Sequence, residues 1–227
     1  MGQFAELKAA DGQAIPAYVA SHKGKAKGGI VVIQEIFGVN AHIRAVADGY
    51  AEQGYLAVAP ATFHRVKPNV ELGYEPDDMT AGMALKTATE ALPAPGVMQD
   101  IQAAIDHAAQ AGKVGIVGYC YGGLLTWRAA CALAGLSAAV PYYGGGVTTP
   151  DEIARQPRCP VLAHFGDQDQ WISLESVEAF KKAHPDVEVH LYHANHGFNC
   201  DHRASYNAEA AKLARERTLA FFARHVG

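Results

Sequence analysis

The chain has 227 residues, 49% of them hydrophobic and 19% charged, the composition of an ordinary globular protein and long enough for one domain spanning 1–227 with a sizeable core. A formal net charge of −4 offers no basic footprint for nucleic acid or an anionic membrane surface. No apolar run approaches the ~18–20 residues of a membrane helix, and the start MGQFAELKAADG has neither the basic nor the apolar region of a signal peptide, so a cytoplasmic protein is expected, monomeric or weakly homo-oligomeric.

Two short alternating runs around Asp11-Gly12 predict an antiparallel hairpin at a sheet edge. Gly28–Glu35 is a continuous apolar run, the pattern of a strand buried on both faces. Asn40 caps a helix to about Gln53, closed by Gly54, and YLAVAP is a second buried strand ended by Pro60. Residues 61–76 carry Pro68, Gly73 and Pro76 and read as a long irregular loop, expected as a lid or pocket wall. Helices follow from Asp77 or Asp78 to about Leu92, and from Pro95 to about Gln110. KVGIVGY is a strand, GYCYGG a turn and LLTWRAACALAG a helix; SAAVPYY and PVLAHFG are strands. A helix starts near Ser173, VEVHLYH is the last strand, and a final helix over about Tyr206–His225 carries a core stripe of Ala210, Leu213, Ala214, Thr218, Phe221 and Phe222. Strands alternating with helices predict a mostly parallel sheet with helices on both faces, and chemistry in such sheets gathers at the carboxyl ends of the strands.

Gly118-Tyr119-Cys120-Tyr121-Gly122 is a G-x-C-x-G turn between strand and helix. It matches the nucleophile-elbow pattern with cysteine in place of serine; small neighbours permit the sharp turn, and a helix N-terminus favours a thiolate. The competing reading is a glycine-rich turn around a buried cysteine. The four cysteines (Cys120, Cys131, Cys159, Cys200) form no CxxC pair and are expected as free thiols. Asp167 and Asp169 both follow the strand PVLAHF, and the Gly-x-x-Asp spacing favours Asp169 as the carboxylate that orients a histidine. His196-Gly197 follows the last strand as the candidate base, in the order nucleophile, acid, histidine. Glu35 ends a buried strand and is a candidate to hydrogen-bond the Cys120 thiol or accept its proton, although its charge opposes a thiolate. His190, His193, His196, Cys200 and His202 crowd one segment, but their spacing fits no common zinc pattern and no second cluster completes it; no metal and no cofactor are expected.

Together QEIFGVN, GYCYGG, the Gly-x-x-Asp of FGDQD and the His-Gly-Phe of ANHGFNCD resemble the dienelactone hydrolase (carboxymethylenebutenolidase) family over essentially the whole chain. The resemblance implies an α/β-hydrolase fold, Cys120 as nucleophile, His196 as base, Asp169 as its partner, Glu35 as the glutamate that helps ionise the thiol, and an oxyanion hole from the N–H groups of Ile36 and Tyr121. It implies a thioester acyl-enzyme and a small lactone or ester substrate, expected to be anionic. The arginine that closely follows the family's histidine is replaced here by Cys200, which leaves Arg203 and Arg65 as candidate anion binders, with Tyr74, Tyr142 and Phe37 as candidate pocket walls. The alternatives are a redox-sensing protein built on an accessible Cys120 or a ligand-binding protein on the same fold, or a carboxylesterase of different substrate range.

Overall fold

The structure is a computed structural model that describes residues 2–227. A hairpin of β1 (Gln3–Lys8) and β2 (Ala14–Ala20) opens the chain. It is followed by β3 (Gly29–Ile33), α1 (Ala41–Glu52), β4 (Leu56–Pro60), α2 (Pro76–Glu90) and α3 (Met98–Ala108), which ends in a single 3₁₀ turn over Ala109–Ala111. Then come β5 (Val114–Tyr119), α4 (Tyr121–Ala132), β6 (Leu136–Tyr142), the short α5 (Pro150–Ile153), β7 (Leu162–Gly166), α6 (Leu174–Ala183), β8 (Glu188–Tyr192) and α7 (Ala208–His225). The eight strands form one sheet in the order β1-β2-β4-β3-β5-β6-β7-β8. β2 runs antiparallel to β1 and β4, and every pair from β4 to β8 is parallel.

Helices cover both faces, as the strand glycines record. A Cβ on Gly29 would collide with Ala108 of α3, whereas one on Gly115 would lie 2.7 Å from the Phe222 ring of α7. Gly29 pairs with Val114, the neighbour of Gly115 in register, and adjacent strand residues point to opposite faces. Hence α3 and α7 flank opposite sides of the sheet. α1 sits on the α7 side, where the Arg215 guanidinium donates to the Gly49 carbonyl. β3 and β5 are fully buried, as their unbroken apolar runs require.

The connection after β3 goes to β4 on one side, while β5 lies on the other, so the order reverses at β3 and β5. A crevice opens at such a reversal, beyond the carboxyl ends of the strands. The residues leaving those two strands are Gln34–Gly38 and Cys120.

Several boundaries differ from expectation. β3 ends at Ile33, so Glu35 belongs to the turn beyond it and is 1% exposed. α4 begins at Tyr121 rather than Leu124, because its first turn is built from the elbow itself. Leu213 is 39% exposed rather than part of the core stripe. The segment 61–75 does not wall the crevice. It is strapped to the turn after β3, with the Leu72 N–H donating to the Phe37 carbonyl at 2.8 Å and the Asn40 amide to the Leu72 carbonyl at 3.1 Å. No helix among the described residues is long and apolar enough to cross a membrane.

Arg65 is also corrected. Its Nε donates to both oxygens of Asp100 (2.9 and 2.8 Å), and its terminal nitrogens reach Asp100, Asp11 and Gln13 (2.6, 2.7 and 2.7 Å). With its fork saturated, the guanidinium clips the β1–β2 turn to α3 and takes no part in the crevice. Asp100 is wholly buried, and removing one partner of a buried pair leaves the other charge uncompensated. Arg65→Met, which strands the buried Asp100, should therefore lower the free energy of unfolding by ~3–5 kcal/mol, read from urea denaturation. A loss below about 1 kcal/mol, the worth of a surface pair, would contradict this role.

Candidate active site

Cys120 is the residue between β5 and α4, and its backbone is strained, with φ +55° and ψ −117°. A non-glycine residue in such a region costs ~1–3 kcal/mol and persists only where its surroundings dictate it. They do so here from several directions. The Cys120 N–H donates to the Tyr142 carbonyl (3.1 Å), and the Gly123 N–H donates to the Cys120 carbonyl (2.9 Å). Any Cβ on Gly118 would strike the Gly122 carbonyl and the Thr126 hydroxyl, and any Cβ on Gly122 would strike the Gln34 carbonyl. The first turn of α4 thus presses on both β5 and the turn after β3, and Cys120 is lifted into the crevice, half-buried. Neither the Ile36 nor the Tyr121 N–H has a hydrogen-bond acceptor among the described residues.

His196 and Asp169 sit on the turns after β8 and β7. The imidazole Nδ1 meets Asp169 Oδ2 at 2.7 Å, and both side chains are buried. The other Asp169 oxygen accepts the Trp171 and Ile172 N–H groups (2.8 and 3.2 Å), which locks the carboxylate. Asp167 pairs instead with the exposed His193 (3.2 Å), so the two aspartates separate cleanly. Burial by itself would push the His196 imidazole down. The charge of the Cys120 sulfur and the hydrogen bond to Asp169 outweigh it, and push the group up to about 10. The Tyr143 ring packs edge-on against the imidazole with centroids 5.1 Å apart.

Glu35 does not hydrogen-bond the thiol. Its Oε1 accepts from the Arg203 guanidinium at 3.2 Å. That guanidinium crosses directly over Gly197, where a Cβ would lie 2.8 Å from Arg203 Cζ, and where φ is +78°. Gly197 therefore meets two demands, a left-handed turn and the passage of Arg203. The same guanidinium stands 5.8 Å from the centre of the Phe37 ring.

The pocket around Cys120 is lined by Ile36, Phe37, Met79, Met83, Lys86, Gly145, Trp171, His196 and Arg203. Of the residues singled out in the sequence as substrate contacts, Arg203 and Phe37 line this pocket. Tyr74 is not a wall; it packs behind Phe37 with ring centroids 4.6 Å apart and accepts from the Asn40 amide. Tyr142 is fully buried beneath the site and bonds Thr218 at 2.6 Å; its neighbour Tyr143 holds the position beside His196. The sequence reading missed Met79, Met83, Lys86 and Trp171. The first three recur at i, i+4 and i+7 on α2, a single helical face, and that spacing was the available signal. Trp171 is 75% exposed at the mouth.

Residues 15–226 match the family model described as "Dienelactone hydrolase family". Proteins named carboxymethylenebutenolidase from Pseudomonas putida and Pseudomonas knackmussii are each 35% identical to the chain over 225 residues, covering 96% of it and 94% of their own length. A Klebsiella pneumoniae crystal structure named for dienelactone hydrolase superposes with a TM-score of 0.81 at 32% identity, covering 99% of this chain and all of its own.

The raised His196 group gives a titration with a definite sign. The unfolded imidazole titrates near its ordinary 6.5 and the folded one near 10. Its contribution to stability is thus fully present below about pH 6.5 and is lost as pH rises through about 10. Nitrogen NMR of the imidazole should show His196 still protonated at pH 8, and its titration should move down in Cys120→Ala. An unchanged titration in that variant would show that the sulfur is not the source of the shift.

Proposed function

The chain belongs to the dienelactone hydrolase family and is a carboxylic ester hydrolase, and from that premise we propose that it opens small anionic lactones or esters through a thioester on Cys120. The observation that carries this reading is the 2.7 Å bond from a buried carboxylate to an imidazole whose proton affinity the Cys120 sulfur raises. For attack, Cys120 gives its thiol proton to His196, and the positive end of α4 favours the thiolate so formed.

The thiolate adds to the substrate carbonyl carbon. The oxygen that becomes negative is met by the N–H groups of Ile36 and Tyr121, each worth ~3–4 kcal/mol to the transition state. The carbon–oxygen bond of the ring or ester then breaks. The leaving oxygen takes the proton from His196 and departs as an enol or alcohol, which leaves the imidazole neutral, and the acyl group remains on sulfur. A water molecule next gives its proton to His196 and attacks the thioester. Cys120 leaves as thiolate beside a protonated imidazole, which restores the starting pair. Asp169 keeps Nδ1 protonated and the ring aimed at the sulfur throughout.

Glu35 acts in this scheme as a positioning residue. It holds Arg203 at the rim, and a substrate carboxylate would compete for the guanidinium. Lys86 supplies a second cation from α2, its Nζ 5.7 Å from the centre of the Tyr121 ring. The methionines and Phe37 offer an adaptable apolar floor.

A panel of activated esters and lactones, with and without a carboxylate, tests the reading. Cys120→Ala should abolish turnover of every substrate. Lys86→Met should raise KM for the anionic members about tenfold, the equivalent of ~1.4 kcal/mol, and leave the neutral ones unchanged. Retained turnover in Cys120→Ala would overturn the mechanism; equal effects of Lys86→Met on both classes would overturn the substrate charge.

A further inference from the structure

The histidines clustered in and after β8 turn to separate partners. His190 stacks against the buried His164, and His193 pairs with Asp167 at the surface. The fold assembles a different set, drawn from three distant parts of the chain. Glu35 beyond β3, His42 in the first turn of α1 and Cys200 beyond β8 each bring one donor atom within 4.8 Å of the other two. All three side chains are buried, at 1%, 4% and 0% exposure.

Two of these donors are unspent. Glu35 Oε2 and His42 Nε2 are buried atoms without a hydrogen-bond partner, and leaving a buried polar atom unpaired costs ~1–3 kcal/mol. The other ring nitrogen of His42 meets Asp201 Oδ1 at 3.0 Å. A proton on Nδ1 satisfies that carboxylate and leaves Nε2 bare, the tautomer in which metal-binding histidines are held by an outer carboxylate. Further donors lie on the outer side of His42. Asp201 is exposed, His202 Nε2 lies 3.7 Å from it, and these two with His42 make a second donor group that shares His42. His42 borders a surface cleft together with Asp201 and Tyr206.

We propose that Glu35, His42 and Cys200 bind a zinc-class divalent cation, and that the bound charge, neutralising Glu35, loosens its hold on Arg203 and inhibits the hydrolase. A carboxylate, an imidazole and a thiolate suit zinc, with a fourth position for water, and do not suit the all-oxygen preference of calcium or magnesium. On binding, the Cys200 thiol gives one proton to solvent. The carboxylate, the thiolate and the divalent ion then balance in charge.

The binding claim is independent of the catalytic reading, because it can be measured without Cys120. The reduced Cys120→Ala chain is titrated with zinc against a chromophoric chelator, and with cobalt to observe thiolate-to-metal charge transfer. One zinc per chain is expected, with one proton released. Adding either His42→Gln or Cys200→Ser should weaken binding at least ~10-fold, and Cys200→Ser should remove the cobalt band. With Cys120 present, zinc should inhibit ester hydrolysis reversibly, and the single Cys200→Ser variant should keep its basal rate while escaping inhibition. No zinc binding by the Cys120→Ala chain, or equal affinity in both added variants, would overturn the site. Zinc binding without inhibition would overturn the regulatory half alone.

Discussion

The backbone at Cys120 is turned to a φ of +55°, and the site is built around keeping it there. A turn this sharp exists only because the first turn of α4 can press against β5 and against the segment leaving β3, at contacts where Gly118 and Gly122 have no side chain to intervene. The Ile36 and Tyr121 N–H groups, on the two segments pressed together there, are left without internal acceptors. Local strain of ~1–3 kcal/mol is held by sheet burial on both faces, which fixes β3 and β5 in register over five residue pairs. The fold and the chemistry therefore meet in one steric constraint, and the acid and histidine need only be delivered by the turns after β7 and β8.

Glu35 is the second point on which several features converge. A buried carboxylate requires a partner, and Arg203 supplies it by passing over Gly197. The arginine arrives seven residues after His196, and Cys200 lies between the two. Its thiol is thereby placed beside Glu35 and His42, where the proposed cation would bind.

Much of the architecture was legible because its signals are local. The buried runs of β3 and β5, the Asn40 cap, which accepts from Ile43 N–H, and the G-x-C-x-G turn each carry their physics in adjacent residues. The nucleophile, acid and histidine could be read as strand-end residues in chain order, and the structure brings Asp169 and His196 into direct contact. What stayed hidden was set by tertiary partners. Nothing near Arg65 in sequence announces Asp100 as the buried charge that captures it. Tyr142 and Tyr143 are adjacent aromatics, and only the end of β6 decides which one faces the imidazole. Lys86 lies on a helix whose apolar periodicity is weak, and the Glu35–His42–Cys200 cluster spans three elements with no spacing to detect.

The central claim is that hydrolysis runs through the sulfur of Cys120. Substoichiometric iodoacetamide, with each cysteine followed by peptide mass mapping and the remaining ester-hydrolysis rate measured on the same samples, tests it most directly. Cys120 should be alkylated ahead of Cys131, Cys159 and Cys200, and the rate should fall in proportion to the fraction modified there. A chain fully alkylated at Cys120 that still hydrolyses esters at its original rate would contradict it.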